Sequence, residues 1–143
     1  MINFERKEHY GLSDLLRIVA LLRSEDGCPW DRVQTHASLR RSLLEEAYEA
    51  AEAIDREDPA LLKEELGDLL FSVVNVSRFL DLDSEYALTV ACDKFIDRFK
   101  SVEFLASQRG INMKEASLRQ LDALWEEVKA SRSQSSYSDE YKN

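Results

Sequence analysis

Residues 64–76 read EELGDLLFSVVNV, and the reading of this stretch decides the fold. Leu66, Leu69, Leu70, Phe71, Val73, Val74 and Val76 give it the apolar content of a buried helix, yet Asp68 stands among them. Glu65, Asp68, Ser72 and Asn75 recur at intervals of three and four, so a helix aligns them as one polar stripe on an otherwise apolar cylinder. An isolated ionised carboxylate in that setting costs several kcal/mol unless a partner or an ion balances it. No Lys or Arg shares the stripe. The stretch predicts a core helix whose acids await a cation.

The helix before it carries a matching pair. With Leu43 at the centre of its apolar stripe and 100° per residue, Leu39, Ala47, Ala50 and Ile54 fall within about 40° of that centre. Glu46 lies roughly 60° away and Glu49 about 120° on the same side, while Glu45 and Glu52 point nearly opposite. Glu46 is thus expected to border the core with Glu49 beside it. Asp58-Pro59 separates the two helices, with Asp as N-cap and Pro at the first helical position. So short a connection makes them antiparallel neighbours. Folding at Glu57-Asp58 sets Glu49 level with Glu65 and Glu46 level with Asp68, to within one residue or about 1.5 Å. Taken singly, a Glu-x-x-Glu is a solvated face and a lone Asp binds a nearby hydroxyl. Two pairs at matched heights, one without a basic partner, point to a shared ion. All-oxygen ligation suits Mg²⁺ or Mn²⁺, and the absence of His and Cys argues against zinc.

The rest of the chain is helical in period almost throughout. Ser13 can cap a first helix ending near Ser24, and a loop, DGCPWDRVQT, follows it. A second helix spans about 38–56, a third 59–81, a fourth runs from Ser84 towards Gly110, and a fifth spans roughly 117–131. The expected fold is all-α, a bundle of four to five helices around the central antiparallel pair. With 143 residues, four Gly and two Pro, one domain at 1–131 is expected, and residues 132–143 lack periodicity and read as a disordered tail. No apolar run approaches the ~20 residues that span a bilayer, and Met1-Ile2-Asn3-Phe4 opens no signal peptide. Cys28 and Cys92 form neither a disulfide framework nor a zinc spacing. A cytoplasmic protein without a membrane partner is expected. The net charge of −9 makes a nucleic acid polymer a poor partner, whereas a small phosphate compound remains open if cations neutralise the site.

LLEEAYEAAEAIDRED (43–58) followed by LLKEELGDLLF (61–71) resembles the MazG family of nucleoside triphosphate pyrophosphohydrolases, whose hallmark is E-E-x-x-E, a spacer, then E-x-x-D. The likeness continues upstream in GCPWDRVQTHASLRRSLLEEAYE and downstream in KFIDRFKSVE and LWEEVK, so it covers about residues 12–130. It implies an all-α fold, assembly as a homodimer or higher homo-oligomer, and cleavage between the α and β phosphates to a nucleoside monophosphate and pyrophosphate. By that resemblance Glu46, Glu49, Glu65 and Asp68 are Mg²⁺ ligands, and Glu45 matches the remaining motif acid, a water-orienting candidate. Lys94 and Arg98, at i and i+4, resemble positions that contact the triphosphate. Many relatives carry consecutive Arg residues there, where this chain has Asp97-Arg98. Trp125 matches an aromatic near the end of the family domain, and Lys129, one turn beyond it, is a further candidate substrate contact. Trp125 can stack on a base, or belong to the core stripe Leu118-Leu121-Trp125-Val128.

Three further positions complete the candidate site. Trp30 and Asp31, with Gln34 and His36 close by, offer base or sugar contacts, and Asn75 extends the acidic stripe by two turns towards a ligand or a carboxylate. The chemistry expected is Mg²⁺-assisted attack of water on phosphorus, with Glu45 or Glu49 orienting the water or taking its proton. Two alternatives stand beside it. One is an acidic helical adaptor holding a structural cation, and the other a phosphoribosyl-ATP-type pyrophosphohydrolase, against which the CPWD segment speaks. A di-iron bundle wants Glu-x-x-His pairs, and neither His9 nor His36 stands in one.

Overall fold

A computed structural model describes residue 2 and residues 4–139, with side chains as far as Ser131. Its elements are helices α1 (Leu12–Leu22), α2 (Pro29–Arg32), α3 (His36–Asp55), α4 (Pro59–Phe79), α5 (Ser84–Gln108) and α6 (Leu118–Asp139), with no strand among the described residues. The all-α expectation holds. The chain divides into two compact units, 1–84 and 85–143.

In the first unit α4 packs along α3 and against α1. The α3–α4 turn is built as its sequence suggests. Asp58 accepts hydrogen bonds from the backbone N–H of Ala60 at 3.0 Å and Leu61 at 3.1 Å, and Pro59 follows it at the first helical position. Both otherwise orphaned donors at the start of α4 are thereby satisfied. Glu57 turns the chain with a left-handed φ of 52°, a conformation that strains a side chain. α3 begins two residues earlier than its apolar pattern suggests, because Thr35 and Ser38 exchange bonds reciprocally: Ser38 N–H donates to Thr35 Oγ1 at 3.2 Å and Thr35 N–H to Ser38 Oγ at 2.9 Å. The N-cap of α1 is Gly11 rather than Ser13, and its N–H donates to the Asp14 carboxylate at 3.1 Å.

The loop after α1 contains the helix missing from the sequence reading. Pro29 opens a single turn, α2, too short to show periodicity. The approach to it is close: Cys28 N–H donates to Leu22 carbonyl oxygen at 2.8 Å, and a Cβ on Gly27 would stand 2.2 Å from that same oxygen.

The second unit is a helical pair, α5 and α6. Val102 and Ala106 of α5 bury themselves against Leu124 and Val128 of α6, with Leu105, Ile111, Met113 and Trp125 around them. Gly110, at φ 64°, supplies the left-handed step that ends α5. Arg109 spans the turn with a two-pronged contact to Glu127, at 2.9 and 2.7 Å. The backbone of α6 runs to Asp139, past the end at 131 set by apolar period, since no Gly or Pro interrupts the intervening residues. Of the tail expected at 132–143, the backbone to Asp139 continues α6, and residues 140–143 lie outside those described.

Candidate active site

The hairpin of α3 and α4 brings the acids together. One carboxylate oxygen from each of Glu46, Glu49 and Glu65 lies within 4.8 Å of the others. Asp68 stands outside this closest group, yet its charge acts on both Glu46 and Glu65. The register drawn from the turn thus brings three of the four expected ligands into one cluster and leaves the fourth, exposed, at its margin.

Glu46 is half-buried, while the buried sector of α3 is rotated from the expected one. Leu39, Ala50 and Ala53 are the buried residues of α3, whereas Ala47 and Ile54 are exposed. In the same projection those three average close to the direction of Glu46 itself, so the buried sector is rotated by roughly 50° from Leu43. Ala counts little in an apolar stripe but packs closely where two helices approach, which is why Ala50 and Ala53, rather than Ile54, face α4. Glu46 lies beside those residues and is half-buried, bordering the core as the projection expects. Its carboxyl is held above the ordinary range first by burial and then by the charges of Glu49, Asp68 and Glu45. Glu65 is raised for the same reasons in the same order: desolvation first, then Glu49, Glu64, Asp68 and Glu46. Glu45 is exposed, as the projection requires.

Among the described residues no Lys or Arg pairs with these four acids; Arg56, across the turn, is engaged by Glu52. Crowded carboxylates without a basic partner, with Glu46 and Glu65 held above the ordinary range, form a donor set that a hard divalent ion fits. Ser72 is buried on the same face of α4, and the Oδ1 of half-buried Asn75 is out of water with no hydrogen-bond partner.

The remaining candidates divide sharply. Trp30 is 80% exposed, whereas Asp31 is 8% exposed and faces Arg23, Oδ2 to Nη1, at 3.3 Å. Asp31 is thus buried with its charge facing Arg23, while Trp30 stands in solvent. Gln34 braces this segment by donating to Trp30 carbonyl oxygen at 3.2 Å and accepting from Ser38 Oγ at 2.6 Å. In the second unit, Lys94 is exposed and Arg98 half-buried on α5, with the Nε of Arg98 buried and without a hydrogen-bond partner. Trp125 packs on the Val102–Val128 cluster with its ring 5.7 Å from that of Phe95, which favours its core role. Lys129 donates to Glu126 at 2.9 and 3.1 Å.

Sequence reasoning missed Arg23 and Phe79. The Arg23 guanidinium lies 4.9 Å over the Phe79 ring while facing Asp31, and His36 meets that ring edge-on at 5.0 Å. No fixed spacing announces such a contact, since its members come from four helical segments. The only signal was a lone Arg directly after an apolar helix.

Residues 34–103 match the family model described as the MazG nucleotide pyrophosphohydrolase domain. A curated relative from Thermotoga maritima, named nucleoside triphosphate pyrophosphohydrolase/pyrophosphatase MazG, is 48% identical over 87 residues, or 61% of this chain and 33% of that protein. A nucleoside triphosphate pyrophosphohydrolase from Escherichia coli K12 is 33% identical over 135 residues, covering 87% of this chain and 51% of its own length. The chain thus spans from a third to about half of these relatives. The crystal structure of a mazG-related protein from Thermotoga maritima superposes with a TM-score of 0.60 at 28% identity, covering 83% of this chain and 99% of that one. Over residues 34–103, then, the chain is similar to the MazG nucleotide pyrophosphohydrolase domain.

Proposed function

We propose that the chain is a nucleoside triphosphate pyrophosphohydrolase that cleaves between the α and β phosphates, releasing a nucleoside monophosphate and pyrophosphate. The observation that carries this reading is the meeting of Glu46, Glu49 and Glu65 oxygens within 4.8 Å without a basic partner. Glu46, Glu49, Glu65 and Asp68 would hold Mg²⁺, with Mn²⁺ as a substitute of similar ligand preference. A divalent ion there neutralises phosphate charge and lowers the pKa of a bound water.

The chain's own groups supply the rest. Glu49, exposed at the rim of the cluster, is placed to orient a water or accept its proton, and Glu45 is the second candidate for that role. Lys94 and Arg98 offer a compact charge and a planar fork to phosphate oxygens. Leu66, Leu70 and Val73 form an exposed apolar row on α4, which supports assembly as a homodimer or larger homo-oligomer.

Pyrophosphate release from a panel of nucleoside triphosphates, with and without Mg²⁺, tests the reading. Release that depends on Mg²⁺ and vanishes in Glu46→Gln and Asp68→Asn supports it. A silent panel accompanied by strong metal-induced stabilisation would favour the adaptor with a structural cation.

A further inference from the structure

One turn beyond the acids the face shared by α3 and α4 changes chemistry. Ser42 lies four residues before Glu46 on α3, and Ser72 lies four residues after Asp68 on α4, so each returns to its acid's face. Because the helices run antiparallel, both turns lead the same way, and the two serines stand at one level. The edge-on contact of His36 with Phe79, rings 5.0 Å apart, shows that this register holds to the far end of the pair. Asn75 follows Ser72 by three residues on the same face. Towards the turn nothing comparable stands on α3, where Ala50 and Ala53 are buried.

These three side chains are not engaged by the fold. Other helical hydroxyls bond the carbonyl four residues back: Ser77 to Val73 at 2.9 Å, Thr89 to Glu85 at 2.8 Å and Ser101 to Asp97 at 2.8 Å. Ser72 is 8% exposed and Ser42 half-buried, yet among the described residues neither hydroxyl has a hydrogen-bond partner. The Oδ1 of Asn75 is likewise out of water and unpaired. Polar groups left so cost stability, and close packing alone is met by Ala, as at Ala50 and Ala53. A ligand bearing hydroxyls of its own would satisfy all three.

We infer that Ser42, Ser72 and Asn75 form the subsite for the sugar hydroxyls of the substrate. The inference rests on the nucleotide reading above. With the α phosphate at the acids, the pentose is the next group along a nucleotide, ahead of the base. Ser72 stands ~6 Å and Asn75 ~10 Å beyond Asp68 along α4, the level at which that pentose lies. A serine hydroxyl both donates and accepts, and the carboxamide of Asn75 accepts a hydroxyl proton. Such a subsite discriminates by omission, because a sugar lacking its hydroxyl leaves buried groups unpaired.

The test measures Mg²⁺-dependent pyrophosphate release from a ribonucleoside triphosphate and from its 2′-deoxy and 2′,3′-dideoxy forms. No release from any of them overturns the nucleotide reading and this inference with it. Release with equal kcat/KM for all three overturns the sugar subsite alone. The expected result is a fall of about tenfold in kcat/KM at one removal, the first assigning the 2′-hydroxyl and the second the 3′-hydroxyl. Ser72→Ala keeps the small volume that packing needs, and it should narrow that gap to within about twofold by lowering kcat/KM on the full substrate. Should Ser72→Ala fail to fold in far-ultraviolet circular dichroism, Asn75→Ala carries the same expectation. A folded variant that slows all three substrates by one factor, keeping the gap, would mark a packing role and overturn the assignment.

Discussion

Glu46 borders the core in α3, half-buried, and the fold bears that charge beside Glu49 and within reach of Asp68. A carboxyl whose pKa is raised on folding binds its proton more tightly in the native state. Its contribution to stability is therefore present below the ordinary Glu value of 4.5 and is lost as pH rises through the elevated native value. Near neutral pH the metal-free chain should be less stable than at a pH just above 4.5, as thermal unfolding in a chelator across that interval will measure. Asp14 works in the opposite sense: Lys7, Gly11 N–H and Arg17 hold its pKa well below 3.8, so its contribution is lost only in stronger acid. The same logic makes Glu46→Gln more stable than the parent at pH 7 without metal, by a few degrees in Tm, while abolishing the extra stabilisation that Mg²⁺ gives the parent. A Tm that falls in the variant, or one that still rises with Mg²⁺, would count against the cluster as a metal site. At this scale the acids were legible because register across a short turn follows from counting residues. Asp31 was not legible, since a sequence says nothing of which way a loop carboxylate turns until its partner Arg23 is found.

The α3–α4 hairpin is the element on which the cluster depends, and its turn is where substitution should be felt. Removing the cap with Asp58→Ala should cost about 1 kcal/mol and weaken Mg²⁺ binding, because the cap fixes the register of Glu65 against Glu49. Equilibrium urea unfolding and a metal titration measure the two effects. Glu57→Gly should act the other way, relieving the left-handed strain at φ 52° and stabilising by up to about 1 kcal/mol. Long helices with strong caps were readable from the chain because local chemistry alone specifies them. The one-turn α2 was not, for four residues hold no period. The rotation of α3 also escaped notice: hydropathy ranks Ile54 above Ala53, but the close approach of a second helix ranks them the other way.

Across the whole chain, apolar surface is left in solvent in quantity. Leu66, Leu70 and Val73 on α4 are 46%, 59% and 45% exposed although their sequence reads as a buried helix. A continuous row of this kind marks an interface in most soluble proteins. Leu70→Glu should leave each chain helical yet reduce the mass measured by sedimentation equilibrium to 16.5 kDa, if a second copy covers that row. A parent chain that already sediments at this mass would exclude self-assembly. Here the sequence was informative in an indirect way. The apolar content of 64–76 reads as a buried helix, but a single chain's pattern does not say whether its cover comes from within or from another molecule.

Gly27 shows how unevenly such a protein can accept change. Any side chain there would overlap the Leu22 carbonyl, so a saturation scan should return almost no survivors at this position, even under selection for folding alone. Three residues later the opposite holds: Trp30 meets little of its own chain, and selection for folding should admit nearly every amino acid. Only a screen that demands turnover would separate the two, by restoring intolerance at the second position and leaving the first as it was.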